Sequence, residues 1–443
     1  MSRIPLALPA LTLAALAPLA SPPAVRALDA SPLAAELDAH AAAAEGHLIA
    51  WRRHLHEHPE LSNREVETAK FVAERLAAMG LAPRTGVAGH GVVAVIEGGR
   101  PGPTIALRAD MDALPVAEQV DLPFASHATG SYEGRTVPVM HACGHDTHTA
   151  MLLAAAEVLV AVRDRLPGKV VLLFQPAEEG VPTDERPAGA ERLVAEGVLD
   201  DPRVEAVFGI HVMAPMLAGT VGYRPGPMLA AADSFRIAVH GRQTHGSKPW
   251  AGIDPIVVGS EIVTALQTIV SREIDLTNEP AVVSVGQFEA GVRNNIIPDS
   301  ALLVGTVRTY DEAMQADIHA RIRRIAESVA AAHGATVEVA IERQVPVTAN
   351  DPALTAKMLP TLERAFPGRV AEARKITGAE DFSYYARKVP ALFLFLGVTP
   401  PDQMATAASN HSPRFYVEES ALVTGVRAFV QMTADYLFAG AGH

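Results

Sequence analysis

The strongest constraint on the fold is the regular alternation of short apolar segments with helical segments along most of the chain. Strand-like runs occur at VVAVIEG (92–98), TIALRAD (104–110), KVVLLF (169–174) and VEAVFGIH (204–211). Helical patterns fall at about 33–57, 64–79, 147–165 and 187–196. Short buried strands that alternate with helices are typical of the α/β class, with a mostly parallel sheet flanked by helices.

A different order of elements interrupts the alternation between about residues 232 and 345. The strand FRIAVHG is followed by a helix, two successive strands, a second helix and the strand ATVEVAIER. This order, β-α-β-β-α-β, predicts a ferredoxin-like unit, which folds as a sheet with two helices on one side. The earlier alternation then resumes with a helix at 352–366 and the strand ALFLFLG (391–397). We therefore expect a first domain in two parts, 28–231 and 346–443, with an inserted ferredoxin-like domain at 232–345.

Polar side chains that suit catalysis fall next to the predicted core elements. They are Asp110 and Asp112 after TIALRA, Glu178 and Glu179 after KVVLLFQPA, His211 at the end of VEAVFGIH, His411 after ALFLFLG, and Cys143 with His145 just ahead of the helix at 147. Open α/β sheets place their sites at the edge where the carboxyl ends of the strands meet. The sequence therefore predicts that these distant segments converge on one edge of the sheet.

The segment HACGHDTH (141–148) contains Cys143, the single cysteine of 443 residues. One cysteine cannot form a disulfide within the chain, so it is a buried filler, a free thiol or a ligand. If the segment is extended, the side chains of Cys143 and His145 point to the same side and can bind one ion or two neighbouring ions. The alternative is a buried helix start in which the cysteine only fills space.

The adjacent carboxylates of Glu178 and Glu179 have a clear chemical use. Because successive side chains diverge, one can bind a metal while the other accepts a proton from a metal-bound water. Cysteine, histidine and glutamate ligands suit Zn²⁺ or another divalent transition ion, and not Mg²⁺ or Ca²⁺.

Net charge and the N-terminal segment bear on partners and location. The formal net charge is −13 and the chain has no basic run, which argues against nucleic acid and anionic membranes as partners. Arg3 precedes the apolar run LALPALTLAALAPLA, and Val25-Arg26-Ala27 resembles a cleavage site. We interpret residues 1–27 as a signal peptide of an exported bacterial protein, periplasmic or secreted, with a disordered Ala/Pro leader as the alternative.

Five motifs together resemble a known family. MHACGHDTHTAMLL, FQPAEEG, GIHV, GAEDFS and NHSPRF, in this order, are similar to the metallopeptidase family of aminoacylase and carboxypeptidase G. Within it they resemble hippurate hydrolases, bacterial N-acyl-amino-acid amidohydrolases and plant auxin-conjugate hydrolases. The resemblance runs from about residue 45 to 437. It implies a two-metal catalytic domain with an inserted ferredoxin-like domain that serves as lid and homodimer interface.

The resemblance assigns roles position by position. It implies two divalent ions per subunit, Zn²⁺ or Mn²⁺ with Co²⁺ and Ni²⁺ as alternatives, and the metal ligands Cys143, His145, Glu179, His211 and His411. Glu178 is the implied general base, and His245 of GRQTHGSKPWAGIDP is the implied stabiliser of the oxyanion, often across the dimer. Asn295 and Arg308 are implied to bind the substrate carboxylate, for which an arginine fork is well suited.

This chain departs from many relatives at RADMD, where they carry a His-x-Asp ligand motif. In the subgroup the cysteine block takes over that role, so Asp110 and Asp112 are expected only to support the ligands. Asp146 and Glu380 are further candidates for such support, although the acidic pair of GAEDFS also suits a helix start.

The function implied is a metal-dependent amidohydrolase that cleaves N-acyl-amino acids. A carboxypeptidase or dipeptidase with the same site is one alternative, and a catalytically inactive metal-binding relative is another.

Overall fold

The computed structural model describes residues 28–441, and the predicted signal peptide lies outside the described residues. The helices are α1 (Ala34–Ala43), α2 (Glu45–Glu57), α3 (Val66–Ala78), α4 (His145–Ala161), α5 (Gly189–Ala195), α6 (Pro255–Thr268), α7 (Glu312–Ala332), α8 (Pro352–Ala365), α9 (Ser383–Ala386) and α10 (Leu422–Gly440).

The strands in the first half of the chain are β1 (Arg84–Val87), β2 (Gly91–Glu97), β3 (Arg100–Asp110), β4 (Thr129–Tyr132), β5 (Arg135–Pro138), β6 (Pro167–Gln175), β7 (Ala206–Leu217), β8 (Val221–Tyr223) and β9 (Gly226–Leu229). The later strands are β10 (Ala231–His240), β11 (Thr244–His245), β12 (Ala281–Ala290), β13 (Ile296–Ile297), β14 (Ser300–Thr309), β15 (Thr336–Val345), β16 (Thr348–Asn350), β17 (Val370–Glu372) and β18 (Ala391–Thr399).

The larger sheet has eight strands in the order β1-β2-β6-β3-β7-β18-β8-β17. Its four central strands, β6, β3, β7 and β18, are parallel to one another, as the alternation of strands and helices predicts. The flanks differ, because β2 pairs antiparallel with both β1 and β6, and β8 pairs antiparallel with β18. The sheet is therefore mixed, with a parallel centre that carries the predicted site.

Both faces of the sheet are buried at its centre, because the central strands are apolar at nearly every position. In β6, Val170, Leu172 and Phe174 pack into the core on one face, while Val171 and Leu173 pack into the core on the other. The first core also receives side chains from α1–α4, α8 and α10, and the second receives them from α5 and α9. Each large side chain buried in this way stabilises the fold by about 1.5–3 kcal/mol.

A separate four-stranded sheet lies between Ala231 and Val345, in the order β12-β14-β10-β15. All its pairs are antiparallel, and α6 and α7 cover it with a core of their own. The elements follow one another as β10, α6, β12, β14, α7 and β15, which is the order that the sequence predicts. Both helices begin at aspartate caps, since Asp254 accepts a hydrogen bond from the N–H of Ile256 and Asp311 from that of Met314.

The structure corrects the expectation that Cys143 and His145 lie in an extended segment. Helix α4 begins at His145, and its N-cap Gly144 has a left-handed φ of 97°. A Cβ atom on Gly144 would lie 2.3 Å from Cγ2 of Val212, so only glycine allows this turn. A tight turn, and not the alternation of a strand, therefore brings the two side chains together.

The sequence analysis did not predict the hairpin of β4 and β5. Its two turn residues, Glu133 and Gly134, both have positive φ, at 48° and 74°. Such turns match the twist of short antiparallel strands. Among residues 28–441, no helix has the length and apolar character that a membrane crossing requires.

Candidate metal centre

The five predicted ligands converge at the carboxyl edge of the central strands. Donor atoms of Cys143, His145 and His211 lie within 4.8 Å of one another, and those of Cys143, Glu179 and His411 form a second group of the same size. Cys143 belongs to both groups. The structure thus brings together residues from five separate positions along the chain, as the sequence predicts.

The parallel centre of the sheet explains the convergence. Strands β3 and β6 are paired up to Asp110 and Gln175, so the residues that follow them leave the sheet at the same edge. His211 lies on β7 opposite Phe395 of β18, and the loop after β18 returns His411 to this edge. The N–H of His411 donates to the carbonyl of Ala142, which fixes this loop beside the cysteine block.

Asp112 holds His145 in place. Its Oδ1 atom lies 3.2 Å from Nδ1 of His145, and its Oδ2 atom accepts hydrogen bonds from the hydroxyl of Ser62 at 2.6 Å and the N–H of Glu179 at 3.0 Å. A carboxylate bound to one ring nitrogen of a histidine orients the other nitrogen for a metal. The structure therefore places Asp112 in the supporting role that was expected.

Nε2 of His145 has no hydrogen-bond partner among residues 28–441, and Oε1 of Glu179 has only Nε2 of His411 near it, at 3.3 Å. Polar atoms without good partners in a protein interior are costly, and a bound cation would satisfy both. Burial disfavours the imidazolium of His145, but Asp110 and Asp112 outweigh burial and raise its pKa to about 10. The donor set and its negative surroundings fit divalent metal ions.

Cys143 and His211 are suited to the same ions. Sγ of Cys143 lies 3.4 Å from Nε2 of His211, whose Nδ1 donates to the carbonyl of Val212 at 2.7 Å. Burial lowers the pKa of His211 well below its usual value, so the ring is neutral and its Nε2 lone pair can bind a metal. Burial and the nearby Glu179 raise the pKa of the Cys143 thiol, so a metal ion is needed to make it a thiolate.

Donor atoms of His148, Asp110 and His145 also lie within 4.8 Å of one another, but both ring nitrogens of His148 already have partners in the protein. Nδ1 lies 2.6 Å from Oδ1 of Asp110, and Nε2 accepts the N–H of Val212 at 2.8 Å. Asp110 thus acts through His148 to fix the backbone next to His211, which agrees with its expected supporting role.

Glu178 stands beside the metal donors, among other carboxylates. Oxygen atoms of Glu178, Glu380 and Asp381 lie within 4.8 Å of one another. Burial, reinforced by Glu380 and Glu179, raises the pKa of Glu178 well above its usual value. A general base must be ionised before it accepts a proton, and cations bound by the neighbouring donors would counteract this raised pKa.

Arg108, which the sequence analysis did not single out, holds this acidic cluster together. It is fully buried and donates to Oδ2 of Asp110 at 2.7 Å, to Oε1 of Glu380 at 2.9 Å and to Oδ1 of Asp381 at 2.9 Å. The only sequence signal is its place within the strand TIALRAD, where a charged residue interrupts an apolar run. Glu380 therefore supports the site through Arg108, and its pKa is raised by burial to about 8.

Asp146 is a correction to the expected supporting set. Its carboxylate accepts a hydrogen bond from Nε of Arg52 at 2.9 Å and lies 2.9 Å from Nδ1 of His56. Its partners therefore come from α2, and it belongs to none of the metal donor groups found among the described residues. Successive side chains on a helix lie about 100° apart, so Asp146 faces α2 while His145 faces the metal donors.

A cavity of about 530 Å³ adjoins the metal donors and contains Cys143, Glu178, His411 and Arg308 in its lining. Arg308 comes from β14 of the smaller sheet, so the cavity lies where the two sheets meet. Arg186, another residue that the sequence analysis missed, also lines it and pairs with Glu342 at 2.5 Å.

His245 and Asn295 do not line this cavity within the described chain. They lie beside one another in the small β11–β13 ladder, where the N–H of Gly246 donates to the carbonyl of Asn295 at 2.8 Å. The His245 side chain is exposed and accepts the N–H of Ser247 at 3.0 Å. The structure therefore brings Arg308 to the metal centre, but not the other two candidates from the inserted segment.

Comparison with known proteins gives consistent matches over most of the chain. The family model of peptidase family M20/M25/M40 matches residues 106–435. Thermostable carboxypeptidase 2 of Saccharolobus solfataricus is 40% identical over 394 residues, which cover 88% of this chain and 96% of that protein. An N-acyl-L-amino acid amidohydrolase of Geobacillus stearothermophilus is 44% identical over 291 residues, which cover 66% of this chain and 74% of that protein.

Among solved structures, the Bacillus subtilis YXEP protein, a dinuclear metal binding peptidase from the M20 family, has a similar fold. Its TM-score is 0.75 at 35% identity, with 90% of this chain and 99% of that chain covered.

Proposed function

The chain belongs to peptidase family M20/M25/M40, and on that basis we propose that it is a metal-dependent amidohydrolase that cleaves the amide bond of N-acyl-amino acids. The observation that carries the proposal is the position of Glu178. Its carboxylate lies beside both metal donor groups and lines the same cavity as Arg308. A base next to a metal centre, with a cation across the cavity, suits hydrolysis of an amide that carries a carboxylate.

Cys143, His145, Glu179, His211 and His411 would hold two divalent ions, Zn²⁺ or Mn²⁺ with Co²⁺ and Ni²⁺ as alternatives. When bound, such ions lower the pKa of a coordinated water and polarise a carbonyl oxygen. Asp112 orients His145 for this purpose, and the side chain of His148, held by Asp110, accepts the N–H of Val212 and so keeps the neighbouring His211 in place.

Glu178 accepts a proton from the attacking water and returns it to the leaving nitrogen. Its carboxylate is about nine-tenths buried, with a side-chain exposure of 9%, so water competes little for the proton. Arg108 keeps Glu380 and Asp381 close to Glu178. These carboxylates make the protonated form of Glu178 accessible during the reaction.

Arg308 binds the carboxylate of the amino-acid part. The side chain is half-buried in the cavity wall, and its Nη1 donates only to the hydroxyl of Thr306 and the carbonyl of Val307. No carboxylate within residues 28–441 forms an ion pair with it. A guanidinium in that position is able to bind a substrate carboxylate with two parallel hydrogen bonds.

We also propose that two copies pair through the inserted ferredoxin-like domain, which acts as a lid. β12 is an edge strand of the smaller sheet, and large apolar side chains nearby are exposed, among them Trp250 at 79%, Val292 at 97% and Phe288 at 40%. Exposed apolar patches on a soluble protein commonly mark contact surfaces. In such a dimer, His245 and Asn295 of one copy would complete the site of the other, with His245 stabilising the oxyanion.

A carboxypeptidase or dipeptidase activity is the second candidate, and it is supported by the 40% identity to a protein named as a carboxypeptidase. A dipeptide is itself an N-acyl-amino acid, so the same side chains serve both reactions.

Protein reconstituted with each metal and assayed against a panel of acyl-amino acids and dipeptides tests the proposal. Cleavage of benzoyl-glycine but not of Gly-Gly supports the amidohydrolase, and failure to cleave any member supports an inactive relative.

Export remains part of the proposal. Residues 1–27 would be removed, so the mature protein in the periplasm or medium would start at Leu28. N-terminal sequencing of protein recovered from the periplasm of a bacterial host measures this directly. An uncleaved N-terminus and retention in the cytoplasm would contradict it.

A further inference from the structure

A second, larger cavity adjoins the metal centre, and Arg308 is not part of its lining. It measures about 600 Å³ and shares Glu179 and Gly180 with the first cavity. Its walls come from the segment after α2, the residues that follow β3, the β4–β5 turn and the loop after β6. We call it the acyl cavity.

The position of the two cavities decides which half of a substrate each receives. Arg308 lies in the first cavity, so the amino-acid carboxylate and the leaving nitrogen belong there if the proposed function holds. The scissile carbonyl must lie next to Glu178 and Glu179. The remaining part of the substrate, the acyl group, then points away from Arg308 and across Glu179 into the second cavity.

The lining of the acyl cavity is apolar at its base. The apolar side chains in the lining are Leu61, Ala113, Leu114, Pro115, Tyr132 and Pro182. A cavity of about 600 Å³ lies in the range that takes drug-sized ligands, whereas an acetyl group needs little more than the volume of two waters, about 60 Å³.

Charged side chains line the wall of the acyl cavity, and those without an ion-pair partner are carboxylates. Arg64 is the single cation in the lining, and Glu185 neutralises it with hydrogen bonds of 2.6 and 3.0 Å. Glu133 and Asp184 have no ion-pair partner among residues 28–441. The free carboxylates therefore repel an anion, and no unpaired cationic side chain in the lining compensates.

We propose that the acyl cavity binds the acyl group and selects bulky acyl groups that are neutral or cationic over short ones and over those that end in a carboxylate. This proposal rests on the proposed amidohydrolase function and adds the chemical class of the acyl group. Leu114 sets the depth of the cavity, and Glu133 with Asp184 sets its charge.

The first experiment narrows the cavity with Leu114→Trp. The substrates are N-benzoyl-, N-phenylacetyl- and N-acetyl-derivatives of one amino acid. Burial of the additional apolar surface should make the wild type prefer the aryl substrates about tenfold or more in kcat/KM. Leu114→Trp should lower this preference about tenfold, whereas Leu276→Trp, at an exposed position of the inserted segment, should leave it unchanged.

The second experiment reverses one charge with Glu133→Lys. N-succinyl and N-pentanoyl substrates have acyl chains of similar length, and only succinyl ends in a carboxylate. The variant should raise kcat/KM for the succinyl substrate relative to the pentanoyl one about two- to fivefold, the size of one exposed charge contact. Glu327→Lys, an exposed residue of α7, makes the same change in net charge far from the cavity and is the matched control.

A binding measurement separates this proposal from the proposed function. In metal-loaded Glu178→Gln protein, calorimetry should give tighter binding of benzoyl-glycine than of acetyl-glycine, and Leu114→Trp should remove the difference. Equal affinities for the two ligands, or kcat/KM ratios that do not change in Leu114→Trp and Glu133→Lys, would overturn the proposal for the acyl cavity. Amide cleavage by the wild type would still support the proposed function. Loss of cleavage for every amide in a folded, metal-loaded wild type would instead overturn the proposed function.

Discussion

Nδ1 of His145 lies 3.2 Å from Oδ1 of Asp112, which leaves Nε2 of His145 at 3.8 Å from the carboxylates of both Glu178 and Glu179. His145 and Asp112 are 33 positions apart in the chain. Their contact connects the end of β3 to the start of α4, and so makes the metal centre depend on the sheet.

Loss of the Asp112 carboxylate should weaken metal binding without unfolding the protein. Asp112→Ala removes the partner of His145 and the acceptor of the Glu179 N–H, so we expect metal affinity to fall about 10- to 100-fold. Competition with a chromophoric chelator measures the affinity. Asp164→Ala, at a side chain that is 98% exposed, is the control, and equal affinities in both variants would contradict the role of Asp112.

Replacing Glu178 by Gln should separate catalysis from metal binding. Gln keeps the size of the side chain but cannot accept the proton, so we expect kcat to fall about 10²- to 10⁴-fold while metal content stays near that of the wild type. Steady-state kinetics and elemental analysis of the same preparation provide both values. A parallel loss of metal and activity would instead make Glu178 a ligand.

Cys143 should give a direct spectroscopic signal, because it is the single cysteine of the chain. In Co²⁺-substituted protein we expect thiolate-to-cobalt charge-transfer absorption in the near ultraviolet, lost in Cys143→Ser. Without metal, burial raises the pKa of the thiol, so alkylation of the folded apoprotein should be slow compared with the unfolded chain. Absence of the absorption band from a protein with full Co²⁺ occupancy would exclude Cys143 as a ligand.

The stability of the metal-free protein should depend on the charge of His56. Burial disfavours its imidazolium, but Asp146 and Glu118 outweigh burial and raise the pKa of His56 above its usual value. A raised histidine pKa stabilises the folded state fully below about pH 6.5, and this contribution is lost as the pH rises through the folded pKa.

We therefore expect the free energy of unfolding of the wild type to fall above about pH 6.5 more steeply than that of His56→Gln. Urea denaturation of both apoproteins across this range measures the difference. His240→Gln, whose wild-type side chain is 45% exposed, is the control and should follow the wild type. Parallel curves for wild type and His56→Gln would contradict the assignment.

Patterns that involve near neighbours in sequence were read correctly from the chain. The apolar runs of β3, β6, β7 and β18, and the order of elements from β10 to β15, follow from alternation and helical periodicity alone. The five predicted ligands also lie together in the structure, and they were singled out because their motifs fall next to core elements and resemble those of a known family. The short β4–β5 hairpin was missed, since four-residue strands carry too little pattern.

The sequence by itself did not determine the contacts between distant segments. No local sequence pattern distinguishes His148, whose ring nitrogens have partners, from His145, whose Nε2 is available. Nor does one indicate that Asp146 pairs with Arg52 and not with a ligand. The burial of Arg108 among three carboxylates likewise follows only from packing. The sequence specified which groups are present and which elements carry them, whereas the tertiary structure decided their partners and pKa values, because hydrogen bonding and desolvation depend on segments that meet only in the folded chain.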